Sequence, residues 1–187
     1  MIRLFVAAFA LAASLVAVAP AQAQGQPAAD PQNTLVMTTK DGKVTIRLRP
    51  DLAPKHVEQI KALTKRGFYD GIVFHRVIPG FMAQTGDPTG TGTGGSDLPN
   101  LPAEFSREPF KRGTLGMARA NSPNSANSQF FICFDDASFL NGQYTVIGEV
   151  VSGMDVIDKV KKGDPNANGQ VKAPDKIVSL RLLADAK

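Results

Sequence analysis

Residues 74–87 read FHRVIPGFMAQTGD, and this stretch decides both the fold and the candidate site. Two short apolar runs, Ile72 to Ile78 and Phe81 to Thr85, flank Pro79-Gly80, a pair that favours a turn. The pattern predicts two neighbouring strands joined by that turn. A cation, an aromatic ring, a thioether and an amide would then face one shallow groove, which is typical of a small, specific ligand site.

Two later segments offer further walls for this groove. Residues 128–132 (SQFFI) contribute another aromatic side chain, and residues 139–142 (FLNG) contribute more apolar surface. The alternative interpretation is that the aromatic rings only pack in the core and that Arg76 forms a surface ion pair. The residue pattern alone leaves both interpretations open.

Outward from residues 74–87, the chain continues in short apolar runs separated by turns. Asp41-Gly42 between two alternating runs predicts a type I′ hairpin. Helical spacing predicts helices over Ala53–Lys65 and over Met154–Lys162, the second capped by Gly163. The predicted strands are residues 35–37, 44–48, 72–78, 81–85, 115–120, 129–134, 144–151 and 177–183. Eight strands and two short helices predict a mainly β fold, a closed eight-stranded antiparallel barrel capped by the helices.

The N-terminus predicts a secretory signal peptide over residues 1–23. Arg3 precedes the uncharged run Leu4–Ala19, and Ala21-Gln22-Ala23 supplies the small residues that a signal peptidase requires. A membrane anchor is the alternative, but a run of about 16 residues is shorter than the roughly 20 that span a bilayer. The sequence therefore predicts an exported protein, periplasmic or secreted, without stable membrane insertion after cleavage.

After cleavage, residues 24–33 form a flexible lead-in rich in Gln, Ala and Pro, and residues 34–187 form one domain. The formal net charge of the whole chain is +4, and its Lys and Arg residues are scattered. A nucleic-acid site usually shows clustered basic residues, so we expect no nucleic-acid partner.

Two cofactor chemistries are disfavoured by the residue pattern. Gly90–Gly95 matches G-x-G-x-x-G, but Pro99 and Pro102 follow and prevent the helix that a dinucleotide site requires. The chain has only two histidines, His56 and His75, whereas a catalytic zinc site needs three protein ligands. We therefore expect neither a cofactor nor a metal.

Covalent catalysis has weak candidates. Ser128, His75 and Asp87 could be drawn as a triad, but no G-x-S-x-G elbow supports it. Cys133 could act as a nucleophile, yet a lone cysteine in an apolar strand is more often a small buried hydrophobe.

Taken together, the segments resemble the cyclophilins, a family of peptidyl-prolyl cis–trans isomerases. Residues 68–95 match the family signature, residues 113–131 its second block, and residues 139–150 its third. The similarity runs from about Thr34 to Leu183. It implies a bacterial, exported isomerase that acts on proline-containing polypeptides in the folding of exported proteins.

The resemblance also implies roles for individual residues. Arg76 matches the catalytic arginine, and Gln84 matches the residue that positions it and the substrate carbonyl. The substrate-binding set contains the proline-pocket walls, a strand whose backbone pairs with the peptide, and polar neighbours. Its members are Phe81, Met82, Ala118, Arg119, Gln129, Phe131, Phe139, Leu140 and Tyr144.

Two of these residues depart from eukaryotic members. Phe139 stands where many have Trp, and Tyr144 stands where many have His. Both departures are similar to bacterial members and imply weak cyclosporin binding. The alternative function is a chaperone or assembly module that binds proline segments and turns them over only incidentally.

Overall fold

The structure, a computed structural model, describes residues 29–186 and leaves the predicted signal peptide outside its range. Its regular elements are β1 Thr34–Thr39, β2 Gly42–Leu48, α1 Pro54–Lys65, β3 Arg76–Ile78, β4 Met82–Thr85, β5 Thr114–Met117, β6 Phe130–Cys133, β7 Val146–Ser152, α2 Met154–Lys159 and β8 Ser179–Leu182. A 3-10 turn at Pro31–Asn33 falls within the predicted lead-in.

The eight strands form one antiparallel sheet in the order β3-β4-β6-β5-β7-β2-β1-β8, curled into a half-barrel. The mainly β fold, the eight strands and the two helices are thus as predicted. The closed barrel is not confirmed, because β3 and β8 remain the two edges of the sheet. Backbone hydrogen bonds join only the segments that precede β3 and β8 in the chain. Phe74 N–H donates to Asp175 O, and Ile177 N–H donates to Ile72 O, each over 2.9 Å.

The edge of β3 that does not pair with β4 pairs instead with the loop at residues 163–170. Val77 donates its backbone N–H to Gly169 O, and Gly163 donates to Val77 O, both over 2.8 Å. The pairing of β3 with this loop accounts for its absence from a ladder with β8. It also brings the loop beside Arg76, the first residue of β3.

Several local predictions are wrong in detail. The strand predicted over 72–78 begins only at Arg76, and the one predicted over 115–120 ends at Met117. The hairpin turn is Lys40-Asp41, since Thr39 pairs with Gly42, and neither turn residue has the positive φ of a type I′ turn. Helix α2 ends at Lys159 because Val160 already has an extended backbone. Gly163 therefore caps no helix and serves the loop beside β3 instead.

Helix α1 begins at Pro54, and its first turn is capped by a distant carboxylate. Glu104 accepts hydrogen bonds from the backbone N–H groups of Lys55 and His56 at 3.2 and 3.1 Å. The buried ring of His56 lies with Nδ1 2.6 Å from Glu104 Oε2. One of the two histidines thus has a structural partner at a helix end.

The core consists of two clusters. The larger lies inside the curl of the sheet, under α1 and α2. The smaller lies at the β4-β6-β5 part of the sheet, and its buried members are Met82, Phe110, Phe131, Cys133, Ala137, Leu140 and Val146. Several residues of this smaller cluster also line a cavity, where they form its apolar wall.

Candidate active site

A cavity of about 830 Å³ opens over the smaller core cluster. It lies between the β3-β4 hairpin, the end of β5 and the loops at residues 90–93, 139–144 and 167–170. Ten of the eleven predicted site residues line it: Arg76, Phe81, Met82, Gln84, Ala118, Arg119, Phe131, Phe139, Leu140 and Tyr144. The eleventh, Gln129, lines an adjoining cavity of about 510 Å³.

One wall of the cavity is apolar and continuous with the core. Met82, Phe131 and Leu140 are all buried, and the half-buried Phe81 packs against them. Phe139 is 63% exposed and extends the wall outward, with its ring centroid 5.2 Å from that of Phe81. Such a wall fits a compact apolar group the size of a proline ring.

Packing fixes the position of Phe131 within this wall. Its ring stacks on Phe110 at a centroid distance of 5.8 Å and meets Tyr144 edge to face at 6.0 Å. Gly116 lies behind both phenylalanines, where any side chain would overlap their rings. The glycine is what lets Phe131 lie flat against the sheet, so the apolar wall is formed before any ligand binds.

The opposite wall is polar and begins with a cross-strand pair. Arg76 and Gln84 lie directly opposite each other on β3 and β4, and Arg76 Nη1 donates to Gln84 Oε1 at 3.2 Å. Gln84 Nε2 donates to Gln129 Oε1 at 2.8 Å, and Gln129 Nε2 donates to Gly94 O at 2.8 Å. A chain of hydrogen bonds therefore runs from the glycine loop to the guanidinium of Arg76.

Asn168 also holds Arg76, and the sequence analysis missed it. Arg76 Nε donates to Asn168 O at 3.0 Å, and Arg76 Nη2 donates to Asn168 Oδ1 at 2.8 Å. Asn168 has φ +52°, a left-handed conformation that asparagine tolerates better than most residues. The available signal was the turn-forming pair Asn168-Gly169, but nothing in the local pattern connects that turn to a strand 92 residues away.

The electrostatics of Arg76 follow from these neutral partners. Burial lowers the pKa of the guanidinium, although an arginine remains charged at neutral pH. Among residues 29–186 no carboxylate lies within salt-bridge distance of Arg76. The site therefore presents an oriented cation opposite the apolar wall.

Arg119 is the second cation of the cavity. Its guanidinium carbon lies 4.4 Å from the Tyr144 ring centroid. Its Nη atoms donate to Ala120 O, Asn121 O and Gln143 O at 3.0 to 3.3 Å. Among residues 29–186 no acceptor is found for the backbone N–H of Arg119, which lies two residues beyond the end of β5 and so has a donor available for pairing.

The residues of the drawn triad do not assemble. Ser128 Oγ donates to Gly86 O at 2.7 Å, and neither nitrogen of His75 bonds to Ser128 or Asp87. Burial alone would raise the pKa of Asp87, but hydrogen bonds from Thr89, Gly94 and Gly92 outweigh it and lower that pKa to about 2. Asp87 therefore stabilises the glycine loop rather than a histidine.

Cys133 is fully buried in β6. Burial, with a smaller effect from Asp136, raises the pKa of its thiol to about 12. A nucleophilic thiolate is therefore strongly disfavoured, and Cys133 packs as a small hydrophobe.

Two wider properties concern metals and membranes. No group of three His, Cys, Asp or Glu side chains between residues 29 and 186 is placed to hold a metal ion. Over the same span, no helix combines the length and apolar character needed to cross a bilayer.

Comparisons with known proteins agree with this geometry. Residues 34–182 match the family described as cyclophilin type peptidyl-prolyl cis-trans isomerase/CLD. A probable peptidyl-prolyl cis-trans isomerase from Brucella suis is 58% identical, covering 98% of this chain and 99% of that protein. A Helicobacter pylori peptidyl-prolyl cis-trans isomerase is 44% identical, covering 67% of this chain and 79% of that protein.

Two solved structures are similar as well. A cyclophilin from Hirschia baltica superimposes with a TM-score of 0.75 at 30% identity, over 84% of this chain and 76% of that one. A Cryptosporidium parvum cyclophilin, crystallised in the presence of the dipeptide Ala-Pro, gives 0.73 at 29% identity, over 80% and 98%. On the family match and the full-length relative, the chain belongs to the cyclophilin family of peptidyl-prolyl cis–trans isomerases.

Proposed function

We propose that this isomerase turns X–Pro bonds by stabilising the twisted amide, with Arg76 as the catalytic residue and Gln84 as its positioning partner. The observation that carries the proposal is the pairing of an oriented, carboxylate-free guanidinium with a preformed apolar pocket. The proposed substrates are proline-containing polypeptides. The Ala-Pro dipeptide present with the Cryptosporidium relative supports that class.

The chemistry required is rotation about one bond. Amide resonance sets a barrier of about 18–20 kcal/mol, and unaided rotation takes tens of seconds. No bond has to break, so the reaction requires no nucleophile. Twisting removes the double-bond character of the C–N bond and leaves a lone pair on the prolyl nitrogen.

Each wall has a distinct role in this step. Phe81, Met82, Phe131 and Leu140 hold the proline ring still while the acyl side turns. Arg76 donates a hydrogen bond to the prolyl nitrogen, which accepts only in the twisted state. The interaction is therefore absent from the ground state and lowers the barrier, and a partly dry site strengthens it.

The remaining predicted residues receive supporting roles in this proposal. The open backbone of Arg119, next to Ala118, pairs with the extended peptide beside the proline. Gln129 keeps Gln84 in place through their 2.8 Å hydrogen bond. Phe139 and Tyr144 form the outer rim of the pocket, where Phe139 is the most exposed member of the apolar wall.

The substitution Arg76→Ala tests the catalytic role. We expect kcat to fall about 10²–10³-fold, equivalent to roughly 2.7–4 kcal/mol, as for the loss of one preorganised donor. Affinity for a proline peptide should survive in part, because the apolar wall is untouched. The measurements are the isomerisation rate by exchange NMR and the peptide affinity by titration, with circular dichroism to verify the fold.

The matched control is Arg107→Ala, which removes an exposed arginine that lines neither cavity. It should leave both quantities unchanged. A binding module makes the opposite forecast for Arg76, since the arginine would then serve affinity alone. If the Arg76 variant keeps its turnover and loses only affinity, the catalytic role is wrong.

We also propose that the protein is exported by cleavage near Ala23 and acts on exported chains in a periplasm or outside the cell. Support comes from Arg3, the uncharged run Leu4–Ala19 and the small residues up to Ala23. N-terminal sequencing of protein recovered from outside the cytoplasm tests this, with a start near Gln24 expected. Soluble cytoplasmic protein that retains Met1 would contradict it.

A further inference from the structure

We propose that Arg119 makes the site selective for substrates that carry a carboxylate side chain within two residues of the proline. The inference rests on the proposed function, because it names the substrate class of the same groove. It concerns the side chain of Arg119, whereas the family resemblance implies a role only for its backbone.

The first observation is the charge of the groove. The two adjoining cavities share Arg119, Ala118, Gln84, Gly92 and Thr93, so Arg119 lies where the cavities meet. Neither cavity has an Asp or Glu among its lining residues. With Arg76 and Arg119 both charged, a peptide lying along the groove meets two cations and no lining anion.

The second observation is the kind of partner that each arginine has. Of the eight arginines among residues 29–186, five form salt bridges with carboxylates: Arg47, Arg49, Arg66, Arg112 and Arg181. Arg76 and Arg119 line the groove and have only neutral acceptors. The eighth, the exposed Arg107 outside the groove, also forms no salt bridge, so the groove holds two of the three arginines of this span that lack a carboxylate partner.

The third observation is that the guanidinium of Arg119 is held in place. The Tyr144 ring supports it, and three backbone carbonyls fix its two Nη atoms. Arginine loses little rotamer entropy on binding an anion when its planar group is already oriented. A peptide strand paired with the open backbone of Arg119 would carry residues near its proline past this group.

A competing interpretation treats Arg119 as a clamp that ties the end of β5 to Gln143 and Tyr144. Such a clamp would affect every substrate equally, whatever its charge. Selectivity between two substrates of the same shape is therefore the quantity that separates the two interpretations.

The experiment uses proline peptides that differ only by Glu or Gln, placed in turn at each of the two positions on either side of the proline. The ratio of kcat/KM for Glu over Gln is measured by exchange NMR at low and high salt. At the best position we expect a ratio of about 3–10 at low salt, falling at higher ionic strength, as for a partly exposed ion pair.

Three variants test whether the Glu/Gln ratio of kcat/KM depends on the charge of Arg119. Arg119→Gln should bring it close to 1, Arg119→Lys should retain part of it, and the exposed control Arg107→Gln should leave it unchanged. Because the ratio compares two peptides on one enzyme, a general loss of activity in an Arg119 variant does not disturb it. Circular dichroism verifies that each variant is folded.

The outcomes that overturn the inference differ from those that overturn the proposed function. A ratio near 1 at all four positions, or a ratio that survives in Arg119→Gln, rejects acid selectivity even though both peptides are isomerised. Failure of the wild-type protein to isomerise either peptide rejects the function itself. A ratio that Arg107→Gln lowers equally would indicate long-range charge instead of a site at Arg119.

Discussion

The two walls of the cavity are built by different physics. The apolar wall is the outer face of a core cluster, so close packing against Phe110 and Gly116 fixes it. The polar wall is held by directional hydrogen bonds between Arg76, Gln84 and Asn168. Two of these three bonds are made by Asn168, an exposed residue in a loop. The apolar wall thus shares its stability with the fold, whereas the polar wall can change while the fold stays intact.

This difference separates binding from rate. Apolar contacts to a proline ring are nearly the same in the ground and transition states, so they contribute affinity. A donor aimed at the prolyl nitrogen acts only in the twisted state. Damage to the buried part of the apolar wall should therefore reduce stability and affinity together, and damage to the polar wall should reduce turnover alone.

The largest expected effect comes from the apolar wall, in Phe131→Ala. The ring is only 5% exposed and contacts two other aromatic rings, so its removal leaves a cavity beneath the site. We expect the free energy of unfolding to fall by about 3–5 kcal/mol. Urea denaturation measures this loss, and peptide titration on the folded fraction should show weakened binding.

A loss below about 1 kcal/mol with normal affinity would mean that the wall repacks and is not fixed by the core. Phe139→Ala is the matched control, since that ring is 63% exposed and packs outside the cluster. It should alter affinity with little change in stability.

The next effect comes from the polar wall, in Asn168→Gly. Glycine accepts the left-handed backbone, so the carbonyl bond to Arg76 Nε remains and only the bond from Nη2 to the side chain is lost. We expect kcat to fall about tenfold, equivalent to roughly 1.4 kcal/mol, with peptide affinity retained. Steady-state or exchange kinetics at 25 °C measure the change.

The control for this variant is Asn166→Gly, which adds the same flexibility to the loop at an exposed residue that does not contact Arg76. An equal loss in both variants would assign the effect to loop mobility. A loss in affinity instead of kcat for Asn168→Gly would break the distinction between the two walls.

The same distinction explains what the sequence could predict. The β3-β4 hairpin and its groove are local, since alternation and a Pro-Gly turn place Arg76 opposite Gln84 within eight residues. The apolar wall could be predicted because its residues lie in runs of aromatic and aliphatic side chains, which are typical of a buried core. Ten predicted residues meet in one cavity, although Ala118, Arg119 and Tyr144 were assigned to the site by the family resemblance and not by local pattern.

The contacts of irregular segments could not be predicted this way. Asn168 reaches Arg76 through a left-handed turn in a loop without periodicity. The pairing of that loop with β3, which leaves the sheet open at its edge, likewise depends on backbone bonds that side-chain patterns do not encode. The premature end of α2 at Lys159 has the same origin, because Gly163 serves the loop and not the helix.

A smaller effect is expected at the rim, in Phe139→Trp. Phenylalanine presents an apolar face but no donor, whereas tryptophan adds an indole N–H that can reach a carbonyl of cyclosporin. One gained hydrogen bond is worth roughly 0.5–1.5 kcal/mol, so inhibition should strengthen several-fold from a weak starting value. Inhibition constants for both forms measure it, and equal values would show that this position makes no such contact.

The smallest expected effect on turnover is that of pH, and it tests whether the polar wall needs a titrating group. Arg76 stays protonated between pH 6 and pH 8, so kcat/KM should be nearly flat there. Burial, assisted by Arg76 and opposed by Asp87, lowers the pKa of the neighbouring His75 below its ordinary value of 6.5. His75 therefore carries less positive charge across this range than an unperturbed histidine would, and we assign it no proton-transfer role.

Stability should respond to His75 although turnover does not. Because the pKa of His75 is lower in the folded state, the unfolded chain binds a proton at this ring more readily than the folded chain does. Protonation of His75 therefore costs no folding stability well above pH 6.5, and it lowers the free energy of unfolding as pH falls below 6.5. Denaturation measured from pH 8 to pH 5 should show that decline, reduced in His75→Asn. A rate profile with a steep limb near pH 6.5 at constant stability would place a histidine in the chemistry, and Arg76 would then no longer suffice to explain turnover.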